Sequence, residues 1–246
     1  MSKNRYFKTI DFQLLKHDNK KRLIKDIKFV VIHYTNLQSV LESLKILSNP
    51  KTKVSAHYLI SNDGTVFNLV HPTHTAWHAG KSKWLNYKNL NKHSIGIELQ
   101  NRGIEFGYHT FPSKQITSLI NLCLILKKKY NINTKNFLGH SDIAPLRKVD
   151  PGNKFPWKKL SDKGLGLWLN SKKISLNKKK LNQTNRRYFF FSNLHKIGYR
   201  YFSIKNRSSK DKFIIRAFKS HYNPSNQSSE IDRKSQIISD ILAKSL

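Results

Sequence analysis

The sequence predicts an α/β fold, because short apolar strands alternate with segments of helical periodicity along its first two thirds. The chain has 246 residues, of which 38% are hydrophobic and 11% are aromatic. That composition supports a sizeable core and excludes a wholly disordered chain. No apolar run reaches the roughly 18 residues that a membrane span requires, so no transmembrane helix is expected.

The first part of the chain carries the signals of a strand, a helix and a hairpin. Residues 29–35 (FVVIHYT) form a short apolar, β-branched run that predicts a buried strand. Residues 39–47 place apolar side chains at helical spacing and stop before an Asn-Pro pair. Two strand-like stretches within residues 54–70 flank Asn62-Asp63-Gly64, which is typical of a tight hairpin turn.

Three further elements complete the predicted α/β domain. Residues 94–99 (SIGIEL) predict another strand. A helix is expected to open at Pro112-Ser113 with Ser113 as its cap, and to end in a run of three lysines. Cys123 falls on the apolar face of this helix and is interpreted as a core residue. Phe137-Leu138 then predicts a short strand that leads into Gly139-His140.

The composition changes at about residue 169, which predicts a division of the chain. Residues 171–187 hold seven basic residues and no acidic one, a pattern typical of a linker. Two amphipathic segments, 210–222 and 230–242, predict a small helical unit whose core is marginal at that size. The expected organisation is a lead-in at 1–27, an α/β domain at 28–168, a basic linker at 169–187 and a helical domain at 188–246.

The net charge of +32 first suggests a polyanionic partner. Lysine outnumbers arginine 36 to 10, however, and asparagine is abundant at 23, a pattern that AT-rich codons alone can produce. Because arginine, the better reader of phosphate, is not enriched, nucleic acid is not the expected partner. The single cysteine excludes internal disulfides and a multi-cysteine zinc knuckle.

Three residues of metal-ligating type lie where α/β sheets assemble their sites, at the carboxyl ends of strands. His33 ends the first predicted strand, His140 follows a short strand and a glycine, and Asp150 lies ten residues later in a loop. Two histidines and a carboxylate suit a catalytic zinc ion whose fourth position is left to water. The alternative is that His33 is a core histidine and Asp150 a turn residue before Pro151.

Two charged residues are candidates for the chemistry beside such a metal. Glu98 interrupts an apolar strand, and a carboxylate buried there has a raised pKa that suits a general base. Lys148 stands two residues before Asp150, and in an extended segment the two side chains share one face. Lys148 then supplies a cation for a developing oxyanion. The alternatives are a surface glutamate on an edge strand and a solvated lysine.

A set of short motifs follows in order along the chain. The longest is residues 139–152 (GHSDIAPLRKVDPG), and the others over about residues 28–168 are 32–35 (IHYT), 55–59 (SAHYL), 76–80 (AWHAG), 94–99 (SIGIEL), 101–103 (NRG), 111–112 (FP) and 155–157 (FPW). Together they resemble the zinc-dependent N-acetylmuramoyl-L-alanine amidases of the AmpD and AmiD type. Later stretches are similar to the three-helix peptidoglycan-binding module of the AmiD branch, which is therefore the closer branch: 194–199 (LHKIGY), 217–222 (AFKSHY) and 230–232 (EID).

The resemblance implies a central mixed β-sheet flanked by helices, of the Amidase_2 and peptidoglycan-recognition type, followed by a small all-α peptidoglycan-binding-like domain. It implies that His33, His140 and Asp150 bind one catalytic zinc ion. It also implies that Glu98 is the catalytic carboxylate and that Lys148 stabilises the oxyanion. The implied reaction hydrolyses the amide between N-acetylmuramic acid, or its 1,6-anhydro form, and L-alanine in peptidoglycan or muropeptides.

Further residues are expected around that site. Four are candidates for the substrate cleft: Trp77, His78, Tyr58 and Asn101. His57 is a candidate to orient a metal ligand, although packing is the favoured interpretation. An anionic wall polymer becomes the expected partner of the basic tail, since residues 166–246 carry a net charge of +14. The wall-binding resemblance favours the cell envelope, whereas the lack of a visible export signal leaves the cytoplasm open.

Overall fold

The computed structural model describes residues 7–11, 20–169, 174 and 185–246. Most of the predicted linker and about half of the lead-in lie outside the described residues. A six-stranded mixed sheet is central. Its strands are β1 (Thr9–Asp11), β2 (Phe29–Tyr34), β3 (Tyr58–Ile60), β4 (Val66–Asn68), β7 (Ser94–Leu99) and β8 (Phe137–Gly139), in the spatial order β1-β4-β3-β7-β2-β8. Strands β5 (Lys83–Trp84) and β6 (Tyr87–Lys88) form a separate hairpin.

The strand pairing confirms the α/β expectation. Strands β3 and β4 pair antiparallel, as the predicted hairpin requires, and the other neighbouring pairs of the six-stranded sheet are parallel. Gly64 in the hairpin turn has φ +88°, and a Cβ there would lie 2.9 Å from the carbonyl oxygen of Lys114. Both the turn conformation and the close approach therefore require glycine at this position.

Four of the helices lie close to the segments for which the sequence predicts helical periodicity. The helices of the described residues are α1 (Val40–Ser48), α2 (Gly103–Phe106), α3 (Ser113–Tyr130), α4 (His140–Ile143), α5 (Trp157–Ser161), α6 (Arg186–Ile197), α7 (Asp211–Tyr222) and α8 (Arg233–Lys244). Ser113 is not the cap of α3 as expected: it is the first helical residue, and Pro112 is the cap, without a side-chain bond. The proline holds the extended conformation that the cap position needs, so the helix starts one residue earlier than expected.

Alternation along β2 divides the core between two faces of the sheet. Val30 and Ile32 pack on one face in a cluster with α3 that includes the fully buried Cys123. Phe29 and Val31 pack on the opposite face. His33 follows the same alternation, so its side chain emerges on the face of Phe29 and Val31.

The C-terminal helices α6, α7 and α8 cover that second face. Phe190, Leu194 and Phe218 belong to the same buried cluster as Phe29 and Leu138 of the sheet. The apolar core of the helical region is therefore continuous with the sheet. This continuity explains how about 60 residues, too few for a robust core of their own, are stabilised. Within the described ranges, no helix has the length and apolarity needed to cross a membrane.

Candidate functional site

Three predicted ligands meet at the carboxyl ends of β2 and β8. His33 is the fifth residue of β2, His140 directly follows β8, and Asp150 lies in the loop after α4. The Nδ1 atoms of the two histidines are 2.9 Å apart, and each lies 3.1 Å from Oδ2 of Asp150. All three side chains are buried. Three donor atoms thus converge on one point at the floor of a cleft.

The spacing of these donors, and the protonation of His33 and Asp150, fit a zinc ion. A tetrahedral ion with bonds of about 2.0 Å sets neighbouring donors about 3.3 Å apart, close to the observed separations. Burial, together with the nearby His140, lowers the pKa of His33 to about 4, which keeps its imidazole neutral. Burial alone would raise the pKa of Asp150, but the two histidines outweigh it and lower that pKa below its ordinary value. Neutral imidazoles and an ionised carboxylate are the forms that coordinate metals.

A chain of hydrogen bonds fixes which nitrogen of His33 faces the other donors. Nε2 of His33 lies 2.9 Å from Nδ1 of His78, and Nε2 of His78 lies 3.1 Å from the hydroxyl of Ser94. That hydroxyl donates its proton to the carbonyl of Leu90 at 2.6 Å. Ser94 must therefore accept from His78, and His78 must accept from His33. The proton of His33 is held on Nε2, which leaves Nδ1 free for a metal.

Gly96 makes room for this chain on the neighbouring strand. A Cβ at this position would lie 2.3 to 2.6 Å from three ring atoms of His78. His78 therefore lines the cleft and also holds the ring of His33 from behind. The contact joins residues 45 positions apart, which local sequence patterns do not reveal.

Replacing His78 with alanine is expected to weaken zinc binding about 10- to 100-fold, the usual cost of losing a partner behind a metal ligand. Ser94→Ala should weaken binding in the same direction by less, because His78 remains. Competition against a chelator of known affinity measures both changes. His93→Ala, which removes a partly buried histidine just before β7, is the control. A folded His78→Ala protein with wild-type zinc affinity would contradict the assigned role.

Glu98 faces the same cleft from β7. It pairs in register with His33 across the parallel strands, so both side chains emerge on one face. The side chain is 8% exposed, and its Oε2 has no hydrogen-bond partner within the described residues. Burial, with a smaller contribution from Asp150, raises the pKa of Glu98 to about 8, while Lys148 opposes the shift. A carboxylate with this pKa can both take up and release a proton near neutral pH.

Two cations stand at the mouth of the cleft. Lys148 is exposed and lines the cleft with Glu98 and Asp150. Its neighbour Arg147 was not predicted: its guanidinium donates to the carbonyls of Ala79 and Lys81 and also lines the cleft. The position of Arg147 inside the motif of residues 139–152 was the signal that could have drawn attention to it.

The remaining candidates are placed differently from one another. Trp77 lines the part of the cleft that contains His140 and Lys148. Tyr58 differs from expectation: it pairs with Ile97 and packs in the α3 cluster, on the sheet face opposite Glu98. A difference of one position along the strand accounts for this, because neighbouring side chains of a strand point to opposite faces of the sheet.

Asn101 and His57 are both buried, and their polar side-chain atoms form hydrogen bonds. The amide of Asn101 donates to the carbonyl of His109 at 2.9 Å and accepts from the N–H of Gly103 at 3.0 Å. Asn101 therefore organises its own loop, which differs from the expected place in the cleft. Nδ1 of His57 accepts from the N–H of Gly96 at 3.0 Å, and Nε2 lies 3.1 Å from the carbonyl of His74. His57 thus packs within the sheet rather than bonding to a predicted ligand.

Comparison with known proteins places this geometry in context. Residues 24–153 match the family Amidase_2, described as N-acetylmuramoyl-L-alanine amidase. The chain is 33% identical over 232 residues to the N-acetylmuramoyl-L-alanine amidase AmiD of Escherichia coli, covering 88% of this chain and 82% of that protein. It is also 33% identical over 161 residues to the 1,6-anhydro-N-acetylmuramyl-L-alanine amidase AmpD of Haemophilus influenzae, covering 58% of this chain and 85% of that protein.

Solved structures show the same likeness. Escherichia coli AmiD, in complex with the substrate anhydro-N-acetylmuramic acid-L-Ala-D-gamma-Glu-L-Lys, is similar with a TM-score of 0.79 and 31% identity, covering 89% of this chain and 90% of that one. AmpDh3 of Pseudomonas aeruginosa, in complex with anhydromuramic pentapeptide, is similar with a TM-score of 0.81 and 31% identity. That match covers 90% of this chain and 92% of the other.

Proposed function

The chain belongs to the Amidase_2 family of N-acetylmuramoyl-L-alanine amidases, and from that premise we propose that His33, His140 and Asp150 hold one zinc ion beside Glu98 and Lys148. It is a hydrolase that cleaves the amide between N-acetylmuramic acid, or its anhydro form, and L-alanine. The observation that carries the residue assignment is the convergence of three donor atoms within 3.1 Å of one another in the cleft of Glu98.

The proton transfers are assigned to Glu98. Amide hydrolysis requires a base that takes a proton from the attacking water and an acid that gives one to the leaving amine of L-alanine. A buried carboxylate whose pKa is raised to about 8 and whose Oε2 is unpartnered among the described residues can serve as both in turn. When bound, zinc supplies Lewis acidity that activates water and polarises the scissile carbonyl.

Stabilisation of the negative charge on the tetrahedral intermediate is assigned to Lys148. A cation at the mouth of a partly water-excluded cleft stabilises an oxyanion more than it stabilises the neutral amide, which lowers the barrier. Lys148 lines the same cleft as the three donors and Glu98. Its charge also lowers the pKa of Glu98, against the effect of burial, which supports their proximity.

We assign residues 28–168 to a catalytic domain and the helical region at 188–246 to binding of the wall polymer. The match to AmiD covers 88% of this chain and therefore extends beyond residues 24–153. The net charge of +14 on residues 166–246 supports attraction to an anionic polymer that bears stem-peptide carboxylates. Because the AmiD and AmpDh3 structures contain anhydro-muropeptides, soluble fragments of this kind are the proposed second substrate.

The function is tested by digesting purified sacculi and isolated anhydro-muropeptides in parallel, with zinc and with a chelator, and reading the products by mass spectrometry. We expect free stem peptides from both substrates when zinc is present and none in the chelator. Zinc added back should restore release. Full release in the chelator would contradict the metal assignment, and release from fragments alone would remove the wall-binding assignment of residues 188–246.

A further inference from the structure

The carboxylate of Asp142, in α4, accepts three hydrogen bonds, two of which come from the C-terminal region. Its Oδ2 accepts from the N–H of Gly139 at 2.7 Å and from Nδ1 of His221 at 2.7 Å. Its Oδ1 accepts from the hydroxyl of Tyr199. Asp142, His221 and Tyr199 are each no more than 2% exposed, so the orientation of the carboxylate depends on these donors rather than on bulk water.

Asp142 sits two residues after His140 in a helix of only four residues. Such a short helix has little internal bonding and depends on its surroundings for its position. One support is the N–H of Ser141, which donates to the carbonyl of Asp150 at 2.8 Å. The other is Asp142, which accepts from the N–H of Gly139, the residue just before His140. The short helix α4 therefore links two of the three donor residues to the C-terminal region.

Packing around Gly139 strengthens the same link. A Cβ at Gly139 would lie 2.7 Å from Cδ of Pro151 and 3.3 Å from Cζ2 of Trp157. The Trp157 ring stacks on the imidazole of His221, with centroids 3.8 Å apart and planes 12° apart. His221 thus bonds to this turn directly through Asp142 and also stacks on Trp157, whose ring lies beside Gly139.

We propose that Tyr199 and His221 are positioning residues for the metal ligand His140, and that they act through Asp142. The inference rests on the proposed role of His140 as a ligand. It gives the C-terminal region a role in supporting the metal centre, in addition to any role in binding the wall polymer. Since neither residue belongs to the lining of the cleft that contains Glu98, both act without touching substrate.

Conservative variants separate this role from general stability. Tyr199→Phe removes one hydroxyl, and His221→Phe keeps a ring in the stack but removes the donor. His221→Asn returns an N–H close to the place of Nδ1. The matched control is Lys219→Met on the same helix, because Lys219 is fully buried and pairs with Asp232 at 2.8 Å, away from α4.

The readouts are the zinc dissociation constant from chelator competition and the kinetics of the zinc-saturated, full-length protein on a soluble anhydro-muropeptide. The Tyr199→Phe/His221→Phe protein should bind zinc about 10- to 100-fold more weakly. Its kcat should fall at unchanged KM, because substrate contacts remain. His221→Asn should recover most of the affinity, and Lys219→Met should keep it despite a lower melting temperature.

Two outcomes would overturn the inference, and they differ from each other. If the wild-type protein and the double variant bind zinc equally well, the positioning role is removed and the proposed function stands. A wild-type protein that binds no zinc overturns the proposed function and the positioning role together. If the double variant does not fold, Tyr199→Phe alone decides, since the loss of one oxygen atom leaves the packing in place.

Discussion

Glu98→Gln is expected to lower kcat about 100- to 10,000-fold while zinc stays bound, since this is the usual contribution of a positioned acid or base. Glutamine has nearly the same shape but cannot take or give the proton. The three donor atoms do not include Glu98, so the metal site should remain intact. Single-turnover kinetics on an anhydro-muropeptide and the zinc content of the same sample measure the two expectations together.

Glu105→Gln is the matched control for this variant, because Glu105 is an exposed carboxylate that lines the same cleft. It should keep near wild-type kcat. If Glu98→Gln retained most of its activity with zinc bound, the acid and base role would have to move to another group. If it lost zinc as well, Glu98 would contribute to the metal site rather than to proton transfer.

Asp150→Asn is expected to reduce zinc affinity by more than the roughly 100-fold that loss of a partner behind a ligand costs, and to abolish amide hydrolysis at ordinary zinc levels. The change removes the anionic donor of the three and leaves the two imidazoles. The backbone bond from Ser141 to Asp150 is unaffected, so the loop should keep its shape. Zinc content after dialysis and chelator competition measure the loss.

Asp162→Asn serves as the control for this substitution, since Asp162 is an exposed carboxylate that pairs with Lys158. It should keep both zinc and activity. Partial recovery of Asp150→Asn activity at high zinc would support a weakened site. Wild-type zinc affinity in Asp150→Asn would remove Asp150 from the ligand set.

Much of the fold could be predicted because its signals are local. Residues 29–35 and 94–99 are short apolar runs buried on both faces, and the structure places strands there. The hairpin at Asn62-Asp63-Gly64 depends on backbone conformations that few residues adopt. The start of α3 was misplaced by one residue, because Pro112 and Ser113 are both suited to a helix terminus and composition does not decide between them.

The residues that converge in the candidate site could be predicted more readily than the contacts that support them. His33 and His140 stand at strand ends, where local sequence and the rules of α/β sheets coincide. Tyr58 shows the limit: adjacency in a motif does not tell on which face of a strand a side chain emerges. The bonds of His78 to His33 and of His221 to Asp142 join residues 45 and 79 positions apart. Such contacts follow from the tertiary structure alone.

The continuous core beneath α6, α7 and α8 has a consequence for how a polymer would be handled. When a binding domain is tethered by a flexible chain, linker length sets the local concentration of substrate at the active site. Here Phe190, Leu194 and Phe218 are anchored in the same cluster as the sheet strands. If these helices bind the wall polymer, as proposed, the distance from the point of attachment to the cleft is set by the packed core rather than by a linker.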